Sequence, residues 1–142
     1  MSVELLNSDV VMARLARYMN AMAPACESGT RKVAILIRDD AKRNCPVGTP
    51  ESTGIPGYIG GSLKKSVRLQ VYAKPAGAIH NIGVSAGGYI TNPNTNVKVD
   101  YAIYVERGTS KMSAQPFLGP AREKYKGQLP KKVKEDLKLL VR

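Results

Sequence analysis

Apolar residues recur along this chain with two different periods, and the changes from one to the other mark out its elements. From Ser8, the residues Val11, Leu15, Tyr18, Met19 and Met22 fall at helical spacing, one stripe of an amphipathic helix that Pro24 is expected to interrupt. A second helix follows, with Ser28 or Thr30 at its N-cap and Val33, Ala34, Ile37, Ala41 and Cys45 on one face, and Pro46 stops it. Residues 46–61, PVGTPESTGIPGYIGG, hold three Pro and five Gly and predict a long loop.

The period then changes to two. Leu63, Val67, Leu69, Val71 and Ala73 alternate with polar neighbours, Lys65 alone breaking the apolar side, and predict a half-buried strand. Pro75, Ala76 and Gly77 read as a turn, and Ala78, His80, Ile82 and Val84 as one face of the returning strand. Gly87, Gly88 and the run TNPNTN open a second loop, residues 86–97. Val97, Val99, Tyr101, Ile103 and Val105 predict a third strand. After a loop at 108–115, Ala121, Tyr125, Leu129, Val133, Leu137 and Leu140 step by four, four, four, four and three, a helical stripe. Gly127 and Pro130 lie inside it, which predicts a kink or two short helices, with Pro130 in the first turn of the second.

At 142 residues the chain is one domain, 1–142, and 43% hydrophobic residues are too many for a chain that lacks a core. Trp is absent and Phe occurs once, so aliphatic residues and seven Tyr must fill that core. Cys26 and Cys45 stand alone and build no disulfide framework. The longest aliphatic run, Val33 to Ile37, is far short of a membrane span, and the start MSVELLNSDVV does not read as a secretory signal. A cytoplasmic origin is expected.

Lys and Arg number 22 against 11 Asp and Glu, a net charge of +11, which raises nucleic-acid binding first. The charge is uneven: −1 over residues 1–30, +5 over 31–72, +1 over 73–110 and +6 over 111–142. Lys64, Arg68 and Tyr72 share the polar side of the first predicted strand, the composition of a single-strand platform. Lys124, Lys126, Lys131, Lys132, Lys134 and Lys138 instead suit a solvated helix face, being interspersed with Glu123, Glu135 and Asp136.

Catalytic and cofactor chemistry finds little support, and no catalytic residue, cofactor or metal is expected. His80 is the one histidine and falls on an apolar strand face, where a packed residue is the simpler reading than a base acting with Ser85 and Asp100. Cys26, Cys45 and His80 lack zinc-ligand spacing. Gly54, Gly57, Gly60 and Gly61 precede Lys64, Lys65 and Ser66, yet Ser62 and Leu63 separate the last Gly from the first Lys, so no phosphate loop is formed. Asp39 and Asp40 are adjacent and diverge by about 100° on a helix, so they read as a solvated patch beside Arg38 and Arg43.

The most informative segment is YAIYVERGTSKMSAQPFLGPA, residues 101–121. Tyr101, Ala102, Val105, Glu106, Gly108, Thr109, Pro116, Phe117, Leu118, Pro120 and Ala121 match a pattern of Tyr-Ala-x-x-Val-Glu-x-Gly-Thr followed by Pro-Phe-Leu-x-Pro-Ala. Upstream, Ala41-Lys42 with Cys45-Pro46-Val47, then Gly61-Ser62-Leu63-Lys64-Lys65-Ser66-Val67, agree in order. This combination resembles the bacteriophage tail-component family, small proteins of the head-to-tail junction of long-tailed phages. Two departures are the lengthened loop at 48–61 and Arg107, where an aromatic residue is common.

The resemblance implies an α+β fold: a small antiparallel sheet of three to four strands, N-terminal and C-terminal helices packed on one face, and long Gly/Pro loops. It implies a neck, tail-completion or tail-terminator subunit of the virion, assembled in the host cytoplasm. Its partners would be copies of itself in a ring, commonly a hexamer, the head-closure or connector proteins, and the tail tube. Genomic DNA would pass through the lumen without sequence-specific binding. Within the motif, Gly108 suits a positive φ, Thr109 or Ser113 a cap, Pro116 and Pro120 the start of a helix, and Phe117 an anchor. Tyr101, Ala102, Val105 and Glu106 complete the motif or interface set, with Lys64, Lys65 and Arg68 as basic contacts. Glu106 is expected to pair with Arg68 or a neighbouring subunit. A basic nucleic-acid-binding domain is the alternative function.

Overall fold

The computed structural model describes residues 8–72 and 81–142. A long helix, α1 (Ser8–Asn44), leads into two short ones, α2 (Pro50–Thr53) and α3 (Ser62–Ser66), and then into a hairpin of β1 (Arg68–Tyr72) and β2 (Asn81–Ser85). Helix α4 (Ala102–Arg107) follows, and α5 (Leu118–Tyr125), a 3-10 turn (Lys126–Gln128) and α6 (Leu129–Leu140) close the chain. No helix among the described residues is long and apolar enough to cross a membrane.

The expected sheet of three to four strands is not formed. Among the described residues the sheet has two antiparallel strands, with Leu69 opposite Val84 and Val71 opposite Ile82, and the molecule is mostly helical. The first predicted strand loses its start to α3, because Leu63, Ser66 and Val67 are buried at i, i+3 and i+4 while Lys64 and Lys65 face solvent. Lys65, which breaks a period of two, fits a period of 3.6.

The third predicted strand becomes α4 for the same reason. Tyr101, Ala102 and Val105 form an i, i+1, i+4 set that packs against the core, while Ile103 and Tyr104 are exposed. Only the upstream end keeps extended pairing: Val99 donates its amide to Ile90 O at 2.8 Å, and Thr91 bridges Lys98. The turn at Pro75–Gly77, with Ala73, Ala78 and His80, lies outside the described residues.

The expected break at Pro24 is also absent, since α1 runs through it for 37 residues, roughly 55 Å at 1.5 Å per residue. An interior proline removes one amide and costs a free helix about 3 kcal/mol. Here the neighbouring turns are held by packing, with Ala21, Ala25, Gly29 and Val33 buried in a row. A Cβ on Gly29 would lie 2.7 Å from Val133 Cγ2 and 2.8 Å from Val133 N, so this row lets α6 come close. The loop at 46–61 likewise gains one turn of helix, α2, whose ends are fixed by a Thr49–Ser52 capping box and by Gly54 at φ +69°.

The C-terminal expectation holds: α5 and α6 are two short helices, and Pro130 sits in the first turn of the second. They run antiparallel to α1 and are welded to it by buried carboxylates. Asp40 is buried, not the solvated group expected, and accepts from Arg43 at 3.0 Å and Lys124 at 3.1 Å. Asp136, also buried, pairs with Lys32. The main core gathers at the far end of α1, where Ala41, Cys45, Leu63, Val67, Val99, Phe117 and Ala121 meet.

Candidate functional site

The motif segment folds as a clamp between α4 and α5. Helix α5 starts without a side-chain cap from its own N-cap residue, Phe117, which leaves amides at a positive helix end unsatisfied. Glu106, eleven to thirteen residues upstream on α4, supplies the acceptors. Its carboxylate takes the N–H of Phe117 at 2.8 Å and of Leu118 at 3.0 Å on Oε2, and that of Gly119 at 2.7 Å on Oε1. Arg68, the partner expected for Glu106, lies elsewhere, its guanidinium 4.1 Å from the ring centroid of Tyr89.

Each remaining motif residue has a place in this clamp. Phe117 is fully buried in the core, and Tyr101, Ala102 and Val105 pack around it. Gly108 ends α4 at φ +76°, ψ 177°, a conformation nearly confined to glycine. Thr109 caps the following turn, its Oγ1 accepting from Lys111 N at 3.2 Å and Met112 N at 3.1 Å. Gln115 N returns to Val105 O at 2.8 Å, and Pro120 occupies the first turn of α5, where no helical amide bond is required of it. Pro116 is exposed just before that turn.

The three loops converge beside the clamp. Asn94 ties 86–97 to 46–61 by a two-point bond, Oδ1 accepting from Ile59 N at 2.9 Å and Nδ2 donating to Ile59 O at 2.8 Å. Between loop 46–61, α4 and loop 108–115 lies a cleft of about 440 Å³, whose walls include Val47, Tyr58, Leu63, Tyr101, Val105 and Met112. Burial raises the pKa of Tyr101, with smaller contributions from Tyr58 and Cys45. Burial also pushes the Cys45 thiol up to about 11, so it stays protonated and unreactive at neutral pH. The cleft is a socket of mixed character, its apolar walls joined by the polar groups of Ser52, Tyr58, Tyr101 and Gln115.

The basic contacts read from the sequence are neighbours, though not on one strand. Lys64 and Lys65 project from α3 and Arg68 from the start of β1, all three exposed. Tyr89 joins them, its hydroxyl donating to Lys65 O at 2.9 Å beneath Arg68. Sequence periodicity missed Asn94, Tyr89 and Ser66. Ser66 is fully buried, donating to Leu63 O at 2.6 Å and accepting from Gly87 N at 2.8 Å. A helical reading of 63–67 places Ser66 inside. Nothing in the spacing marks Asn94 or Tyr89.

The Glu106 clamp makes stability depend on pH. Burial pushes its pKa upward, but the Leu118, Phe117 and Gly119 amides outweigh that and hold it below the ordinary 4.5. Hydrogen bonds from Arg43 and Lys124 likewise lower Asp40, and those from Lys32 and Ser28 lower Asp136. A carboxyl with a depressed folded pKa stabilises fully above its unfolded value and loses that contribution as pH falls through the folded one. The thermal midpoint is therefore expected to be flat from pH 8 to about 5 and to fall below about pH 4. Glu106→Gln should flatten part of that fall and lower the midpoint at pH 7; an unchanged acid limb would show that Glu106 is not clamped in solution.

Among the described residues no three His, Cys, Asp or Glu side chains come together to hold a metal ion. Comparison with protein families, curated proteins and solved structures gives no match for this chain.

Proposed function

We propose that the chain is a non-enzymatic, ring-forming subunit of the head-to-tail junction of a tailed bacteriophage, of the neck, tail-completion or tail-terminator class. The ordered motif over 101–121 and its upstream pieces carry the resemblance. The observation that supports assembly is the distribution of apolar surface. Among the described residues nineteen large hydrophobic side chains are exposed, and Val10, Val11, Met12, Leu15, Tyr18, Met19 and Met22 crowd the first half of α1. Contiguous patches of this kind mark surfaces that a partner covers.

On this reading the Glu106 clamp and the Asn94 tie make a rigid platform. The loops 46–61, 86–97 and 108–115 are then presented to the head connector on one side and the tail tube on the other. The excess positive charge faces acidic neighbours or the phosphates of DNA in transit. The competing reading, a basic nucleic-acid-binding domain, needs open aromatic faces for stacking; Arg68 covers one face of Tyr89 while Tyr72 on β1 is exposed, so the salt titration below decides between the two readings.

Light scattering on the purified protein, with negative-stain images and a filter-binding salt titration, tests the proposal. The expected result is a closed ring of one size that retains no short DNA at physiological salt. A monomer at all concentrations, or a monomer whose DNA affinity falls steeply with salt, would overturn it.

A further inference from the structure

Two apolar features have no partner among the described residues. The first is convex. Val11, Leu15, Tyr18 and Met22 continue, at spacings of three and four, the row Ala25, Gly29 and Val33, and that row is buried from Ala25 onward. Gly29 meets Val133 of α6, so one face of α1 is covered along its second half and bare along its first. Val11, Leu15, Tyr18 and Met22, with Met12 and Met19 at the flank, are each 46–68% exposed. Together they offer on the order of 700 Å², close to the ~800 Å² that each side of a stable interface contributes.

The second feature is concave. A groove of about 390 Å³ opens between the second half of α1, β2 and α5, with Val33, Ile37, Ile82, Val84, Leu118 and Leu129 on its walls. Its charged lining residues are Arg122 and Lys126, both donors. The stripe carries one matching acceptor, the phenol oxygen of Tyr18.

The two features cannot meet within one molecule. Both belong to the same unbroken helix, and the centre of the stripe, near residue 16, is separated from the middle of the groove, near residue 33, by roughly 25 Å of rigid rise. We infer that the bare first half of α1 docks into the α1–β2–α5 groove of a second copy of this chain, so that each subunit gives its stripe to one neighbour and its groove to another. Such an interface is heterologous, the kind that a closing rotation turns into a ring. The inference rests on the proposed assembly and names its contact.

A complementation experiment tests it, read by light scattering with circular dichroism as the check of fold. Leu15→Glu combined with Met19→Glu alters only exposed stripe positions, and the protein is expected to keep its helix content and drop to monomer mass. The groove is blocked by Ile82→Lys or, independently, by filling it with Thr30→Trp; either is expected to give a monomer. An equimolar mixture of a stripe variant and a groove variant retains one intact interface per pair, so it should run at twice the chain mass and no higher.

A stripe variant that stays fully assembled would overturn the inference while leaving the ring reading standing. So would folded groove variants that assemble normally, which would mean that stripes pair with stripes or that another segment covers them. Wild-type protein forming open chains that both variant classes abolish would support the interface and reject the ring.

Discussion

Phe117→Ala is expected to destabilise the fold by about 3–5 kcal/mol, since it truncates the largest fully buried side chain among the described residues. Phe117 is the chain's only phenylalanine and fully buried, and it joins elements distant in sequence. It packs with Ala41 and Cys45 at the end of α1, Leu63 and Val67 around α3, and Val99 before α4. These neighbours are small or branched and anchored on separate segments of the chain, which limits their collapse into the space an alanine would leave. Phe117 N–H is also one of the three amides held by Glu106, so a shift of this residue loosens the clamp. Chemical denaturation with a two-state fit measures the loss. A Phe117→Leu variant should recover more than half of it, and a Phe117→Ala protein within 1 kcal/mol of wild type would remove Phe117 from the centre of this core.

Gly108→Ala is expected to cost about 3 kcal/mol for two reasons that act together. The backbone at φ +76°, ψ 177° is disfavoured for any residue with a Cβ. The added carbon would also stand 2.7 Å from Ala114 N and 2.9 Å from Met112 O, both backbone atoms of the returning loop. Relief requires moving residues 112–115, which would break the Gln115 N to Val105 O bond and shift the amides that Glu106 caps. The same denaturation experiment reads it, and Gly127→Ala, at a glycine with open space around it, serves as the control. Equal stability of the two variants would show that the turn after α4 is not strained.

How far sequence can be read here depends on the length of each pattern. The C-terminal stripe spans twenty residues, and over that distance only a helical period fits, so α5, α6 and the place of Pro130 were legible. The segments 63–67 and 101–105 are five residues each. Val99, Tyr101 and Val105 fit a strand by alternation, and Tyr101, Ala102 and Val105 fit a helix equally well. What decides is the gain from tertiary contacts: only the helix delivers Glu106 to the amides of α5 and Ala102 to the core.

Pro24 misleads for a similar reason, since a local cost is offset by packing along the row from Ala21 to Val33. Of the site, the motif residues were visible as a set and their structural roles mostly so, but not the partner of Glu106. Sequence alone favoured the opposite charge on Arg68, whereas an uncapped helix start eleven residues away offers three donors at once.

The unbroken course of α1 also makes it a measuring rod. In a helix the distance between two positions and the direction each faces are a single variable, because every residue adds 1.5 Å and about 100° together. The bare stripe and the groove wall are thus set at one spacing and one angle by the count of residues between Met22 and Thr30. An insertion there of seven residues, or of eleven, changes reach while turning aim by only about 20°. If neighbouring subunits engage through these two places, the dimensions of the assembly are written in the length of one helix.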